Sequence, residues 1–218
     1  MLPKKLDTII KTCLKTEDLW SFSNNILYNI CKEYPSNIEK QSVLAKTLII
    51  GRVYAVSLER GKGNTNIRGD KFYTHNVFPR VKGFFKGNLR SLKYATIKND
   101  IVAAISLHGR FVKSLHKLRN SNKTSFASKY LHFHYPDIFY IYDSRAKKAI
   151  QILNKHFNDN NKLTSVDRLK STSNSTDYLN FVSKCEILRH KLEDKYHREI
   201  SLRKFDTILI SIADSIKK

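Results

Sequence analysis

Two residues have types and spacing that could do chemistry together, Lys129 and Asp143. They stand 14 positions apart in the stretch SFASKYLHFHYPDIFYIYDSRAKK. An amine is a nucleophile when uncharged, and a carboxylate can stabilise a developing cation or take a proton from water. His132, three residues beyond Lys129, adds a ring that titrates near neutral pH and could contact a substrate or give a proton to a leaving group.

The elements that must hold this pair are legible nearby. If 125–134 is helical, Ser125, Ser128, Lys129 and His132 fall at i, i+3, i+4 and i+7 and share one polar face. Phe126, Ala127, Tyr130, Leu131 and His134 would then face the body. A polar face on a mostly buried helix asks for a partner, and a cleft holding nucleic acid would supply one. Pro136 should stop this helix, because proline disfavours helical geometry in the residue before it. Phe139-Tyr140-Ile141-Tyr142 reads as an extended crossing, and Asp143 then precedes a helical stripe of Ala146, Ala149, Ile150, Leu153 and Phe157. Asp143 is therefore expected to be an N-cap. A carboxylate fixed at a helix mouth can cap and catalyse at once. Arg145, Lys147 and Lys148 oppose the helix dipole in that first turn, so phosphate contact is their expected role. Tyr142 and Tyr140 are open to two readings, stacking on an extruded base or ordinary packing. Lys129 likewise reads as a nucleophile or a phosphate anchor.

The chain as a whole attracts polyanions. Its 218 residues carry 40 Lys and Arg against 19 Asp and Glu, a net charge of +21, which implies salt-dependent association with nucleic acid. No apolar stretch approaches the ~18 residues that a membrane span needs, so no membrane partner and a cytoplasmic location are expected. Cys13, Cys31 and Cys185 are widely spaced and read as reduced core residues. His132 and His134 point to different sides of a helix at i and i+2, so no metal or other cofactor is expected. His108 lies on an apolar stripe and reads as a core histidine.

Elsewhere the periodicity is helical. Leu6, Ile9, Ile10 and Cys13 define a first helix, and Leu19 to Ile30 a second, after the start signal Thr16-Glu17-Asp18. Leu44 to Leu58 reads as one stripe, with Gly51 expected to allow close approach of another backbone. Arg52 on that stripe is expected to fix helix packing or to touch a phosphate, with Tyr54 and Arg60 beside it. Residues 61–95 read as less regular, a glycine-rich basic loop followed by the strip Lys82, Lys86, Arg90 and Lys93. A long amphipathic helix runs from Ile97 to Leu115. Asn120 to Thr124 and Asn158 to Ser175 read as polar loops. Two helices close the chain, the second capped by Ser201. The reading is one all-α domain over 1–218, made of two packed helical lobes with a basic cleft.

A Lys on a helix, an extended apolar crossing and an Asp at a helix start resemble the catalytic core of the helix-hairpin-helix DNA glycosylase superfamily. The C-terminal Arg203, Asp206 and Leu209 resemble its closing helix. The resemblance covers roughly the second half of the chain. Ser121 to Ser125 contains no glycine where that superfamily carries its glycine-rich hairpin, and the Lys-to-Asp interval is shorter. The SKYLHFH and IYDS segments are also similar to those of bacterial proteins, some of which look like phage-defence glycosylases. The resemblance implies an enzyme that flips a modified base out of double-stranded DNA, a hypermodified phage cytosine for example, and cuts its glycosidic bond. Asp143 would be the catalytic carboxylate and Lys129 a nucleophile or anchor. Ser125, Ser128, His132, Tyr142, Arg145, Lys147, Arg52, Tyr54 and Arg60 would contact the substrate. No obligate protein partner is implied. Two other classes stay open: a non-catalytic nucleic-acid-binding module, and an RNA-directed toxin or nuclease in which His132 and Lys129 do acid–base work.

Overall fold

The computed structural model describes residues 2–17, 20–56, 58–59, 69–116, 118, 123–157 and 176–216. Arg60, most of the glycine-rich loop and the polar segments 120–122 and 158–175 lie outside the described residues. The described chain is all-helical, with no strand among those residues. It divides into two compact units, one of residues 1–21 with 140–218 and one of residues 22–139.

The 22–139 unit holds α2 (Ser21–Glu33), α3 (Lys40–Val53), α4 (Gly69–Phe72), α5 (Phe78–Ile97), α6 (Ile101–His116) and α7 (Thr124–His134). A π-helical turn, Tyr73–Val77, joins α4 to α5 without a break. Residues 69–97 are therefore helical and not irregular. Pro79 accounts for the π turn. It has no N–H, and its ring would crowd the carbonyl four residues back. In the wider turn Phe78 N–H reaches back five residues to the Tyr73 carbonyl. Val81, Phe84, Phe85, Leu92 and Ala95 form the buried stripe of α5.

Two further boundaries differ from the expected ones. α3 stops at Val53, and Ala55 takes a positive φ of 51° in the turn that follows. Gly51 has open space where a Cβ would stand, so close packing does not explain it. Ile97 ends α5 and is 77% exposed. The next helix starts after Asp100, whose carboxylate accepts from Val102 and Ala103 N–H at 3.0 Å each.

α7 lies at the centre of this unit. Nine of its eleven residues are buried. Tyr130 sits among Phe85, Phe111 and Phe126 with ring centroids 5.7 to 5.8 Å apart, and Phe84 stacks on Phe111 at 4.4 Å. His108, buried on α6, meets the Thr124 carbonyl at the start of α7 at 3.1 Å. Burial lowers its pKa to about 3, so it is a neutral core histidine that donates from Nε2.

A buried lysine ties α7 to α3. Lys46 Nζ donates to the Tyr34 carbonyl (2.6 Å), to Asn37 Oδ1 (2.8 Å) and to His134 Nε2 (3.2 Å). Three donors meet three acceptors. Removing an ammonium from water costs several kcal/mol, and hydrogen bonds to a charged group return roughly 1.5–3 kcal/mol each. Asn37, held at a φ of 53°, also accepts from Tyr130 Oη at 2.7 Å. His134 Nδ1 faces the Tyr130 carbonyl at 2.9 Å and must carry its proton there, leaving Nε2 to accept. Burial and the nearby ammonium hold the His134 pKa down at about 3. Cys31 beside this node is a buried thiol pushed up to about 12 by desolvation.

The other unit packs α1 (Lys4–Lys15) on α10 (Leu202–Asp214), and both α10 and α9 (Thr176–Tyr196) on α8 (Ser144–Phe157). Cations close the C-terminal end of α1. Lys204 Nζ donates to the carbonyls of Cys13 and Thr16, and Arg198 to that of Leu14. Ser201 caps α10 by accepting from Lys204 N–H at 3.2 Å, as expected. Cys13 and Cys185 are buried free thiols. No helix among the described residues is long and apolar enough to cross a membrane.

Burial lowers the pKa of Lys46 from 10.5 to about 8. Below pH 8 folded and unfolded chains both hold this proton. Between about 8 and 10.5 the unfolded chain binds more, so the lysine's contribution to stability rises with pH. Measured by thermal melting, the stability of wild type relative to Lys46→Met should therefore improve from pH 7.5 to 9.5. A difference that stays constant with pH would mean that Lys46 titrates normally.

Candidate active site

Asp143 stands where the sequence puts it. Its Oδ1 accepts the Arg145 N–H at 2.8 Å, and its carbonyl accepts the Lys147 N–H at 3.0 Å, the first turn of α8. This is the side-chain geometry of an N-cap. The carboxylate faces the positive end of α8 and is only part-buried, its side chain 18% exposed. Arg145 bends back toward it, with Nε 3.6 Å from Oδ1, and reaches Asp214 on α10 at 3.5 Å. The cation that opposes the α8 dipole is thus held by two carboxylates.

The segment before Asp143 is anchored through Tyr140. Its hydroxyl donates to Glu186 and accepts from Arg189 Nε, while its carbonyl accepts from Tyr178 Oη at 2.8 Å. Arg189 also reaches Glu193 at 2.7 Å, and Glu193 accepts the Ile200 N–H at 2.9 Å. Burial pushes the Tyr140 pKa well up, so it remains a hydroxyl donor. Of the two tyrosines, Tyr140 is a buried structural post, 2% exposed. Tyr142 is half-buried, packed edge-on against Phe181 at 5.0 Å. Lys147 lies over its ring at 5.2 Å and donates to its hydroxyl at 3.2 Å.

Lys129 belongs to the other unit. α7 ends at His134, one residue short of Tyr135-Pro136, as the proline rule requires. The shared polar face exists but is mostly buried: Ser128, Lys129 and His132 are each at most 1% exposed, and Ser125 is half-buried. The Lys129 amine donates to Ser125 Oγ at 2.8 Å, and Ser128 Oγ to the Ser125 carbonyl at 3.0 Å. His132 Nδ1 faces the Phe139 carbonyl at 2.7 Å, so it carries the proton. Nε2 then accepts from Tyr28 Oη at 2.7 Å. Both ring nitrogens are engaged by the protein itself. Tyr28 lies 104 residues away on α2, and nothing in its local sequence marks it as this partner.

The remaining candidates scatter. Arg52 is exposed in the last turn of α3, which overturns its reading as a packing residue and leaves its charge complementing the helix dipole. Tyr54 is part-buried, donates to Asn24 Oδ1 and packs on Phe133 at 5.4 Å. Arg60 lies outside the described residues. Arg203 and Asp206 pair with each other at 2.9 Å. Among the described residues no group of His, Cys, Asp and Glu is placed to hold a metal ion. Comparison with known protein families, curated proteins and solved structures gave no match to this chain.

The cap can be tested apart from any reaction. Asn caps helices about as well as Asp, whereas Ala costs about 1 kcal/mol. In urea denaturation, Asp143→Ala should lose about that much, while Asp143→Asn should stay within a few tenths of wild type. Equal losses would show that the charge, and not the cap, stabilises α8.

Proposed function

We propose that this chain is a DNA N-glycosylase of helix-hairpin-helix-like arrangement, acting on a modified base in double-stranded DNA. The observation that carries the reading is Asp143, a carboxylate oriented by the first turn of α8 and still part-exposed. The resemblance of the Lys129-to-Asp143 segment and the net charge of +21 support it.

The target base must leave the stack, at a cost of a few kcal/mol. As the C1′–N bond breaks, the departing base takes the bonding electrons and a proton from solvent, and positive charge grows on the sugar. Asp143 stabilises that charge, accepts a proton from the water that adds to C1′, and returns that proton to solvent. The products are a free base and an abasic site. Phage DNA with hypermodified cytosine is one substrate of this kind.

The buried, hydrogen-bonded amine of Lys129 favours the hydrolytic form of the reaction over the one in which an amine attacks. Its part is then structural, a buried amine that donates to Ser125 Oγ one turn earlier on α7.

Base release on a panel of modified-base duplexes tests the proposal. Wild type should leave abasic sites, and Asp143→Asn, which keeps the cap, should lose release by at least about a hundredfold with little change in DNA affinity. Release undiminished in Asp143→Asn, or absent from wild type on every substrate, would remove this mechanism.

Borohydride treatment during turnover distinguishes the two roles of Lys129. No trapped covalent adduct is expected. An adduct that disappears in Lys129→Ala would make this lysine the nucleophile.

A further inference from the structure

The excess charge is unevenly shared. Residues 22–139 contain 20 Lys and Arg against 6 Asp and Glu, a net +14 of the chain's +21. Three of those cations, Lys46, Lys123 and Lys129, are buried. The described exposed ones concentrate on α5 and α6, which pack against each other and contain no Asp or Glu. Lys82, Lys86, Arg90 and Lys93 are all exposed at i, i+4, i+8 and i+11, a row of about 16 Å along one helix.

A groove of about 420 Å³ opens between the two helices beside this row. Arg90, Tyr94, Ser106, Leu107 and Arg110 line it. Arg110 is positioned before any ligand arrives. Its Nε donates to Asn88 Oδ1 at 2.9 Å, and its Nη1 to Ser106 Oγ at 3.2 Å. The guanidinium plane is thereby fixed, with the Nη2 donors left for an acceptor, an arrangement that suits a phosphate. Tyr94, one turn after Arg90 on α5, is 52% exposed where it lines the groove.

We propose that the α5–α6 groove binds single-stranded nucleic acid, with Arg90 and Arg110 taking backbone phosphates and Tyr94 stacking on an unpaired base. The row of cations matches a repeating anion better than an isolated one. An exposed aromatic ring beside guanidinium groups is how a strand without paired bases is held irrespective of sequence. In a duplex the base faces are already covered. The groove lies in the unit without Asp143, so this proposal stands or falls independently of base excision.

The test is fluorescence anisotropy of the full chain with a labelled mixed-sequence single strand, across a salt series. Taking one cation away from a bound phosphate should reduce the slope of log K against log salt by about 0.7. Arg90→Ala/Arg110→Ala should therefore flatten it by about 1.4 and weaken binding. Lys4→Ala/Lys15→Ala on α1 removes the same charge from exposed positions and should do neither. Tyr94→Ala should weaken binding about tenfold at unchanged slope. Tyr94 and Arg90 are exposed side chains of α5, so Tyr94→Ala and single Arg90→Ala keep the test informative if the double variant melts early. Equal losses from the α1 pair would overturn the proposal. So would full binding by Tyr94→Ala, a loss on Tyr94→Ala as large for a hairpin duplex as for the single strand, or competition by anionic lipid vesicles as effective as that by unlabelled strand. Groove binding that persists in Asp143→Asn, whatever happens to base release, separates this site from the catalytic reading.

Discussion

A helix buried on nearly every side must find a partner inside the protein for each of its polar side chains, and α7 imposes that constraint on the whole 22–139 unit. Ser128, Lys129 and His132 cannot turn to bulk water when burial has removed it, and Ser125 and His134 are only partly exposed. Tyr28 on α2 and Lys46 on α3 are recruited as partners for the two histidines. Asn37 is held in a left-handed turn, where its one carbonyl oxygen serves both Lys46 and Tyr130. The aromatic rings around Tyr130 supply apolar burial, but burial has no direction and would accept several rotations of α7. The polar contacts select one.

The second unit solves a related problem at its helix ends. The carbonyls closing α1 receive Lys204 and Arg198, and the free N–H of α8 receives Asp143. Tyr140 fixes the approach to Asp143 from both sides of its peptide, hydroxyl on Glu186 and Arg189, carbonyl on Tyr178. The position of the Asp143 carboxylate is therefore set by contacts on both sides of it, the anchored strand of chain before and the helix after. Such doubly anchored groups keep their orientation while charge on a nearby atom changes, which is what electrostatic stabilisation of a transition state requires.

Much of this is legible locally, and the failures share a cause. Pro136 as a stop, Asp143 and Ser201 as caps, and Cys13, Cys31, Cys185 and His108 as core residues rest on neighbours within about one turn of chain. The same holds for the apolar stripe of α6, though its start reads too early because Ile97 keeps the period while belonging to α5. The helix at 69–97 is obscured by Pro79, Gly83 and Gly87. A π turn absorbs the proline, and both glycines stand on the exposed face with open space around them. What no local pattern can give is the burial of the α7 polar face. Spacing of i, i+3, i+4 and i+7 is the same whether water, a ligand or another helix lies opposite. Residues distant in the chain decide it, among them Tyr28, whose hydroxyl meets His132 on that face.

The same distinction separates the two kinds of cation in this chain. Lys46, Lys123 and Lys129 are buried and donate to uncharged acceptors: peptide carbonyls, Asn37, His134 and Ser125. They hold the fold from within. In the unit carrying Asp143, Arg145, Arg189, Arg203 and Lys195 each meet a carboxylate, which cancels much of their reach. The α5–α6 face has neither form of compensation within its two helices. Any polyanion that the proposed groove binds would therefore meet charge that its own two helices leave unopposed, and contacts made at short range would decide where it rests.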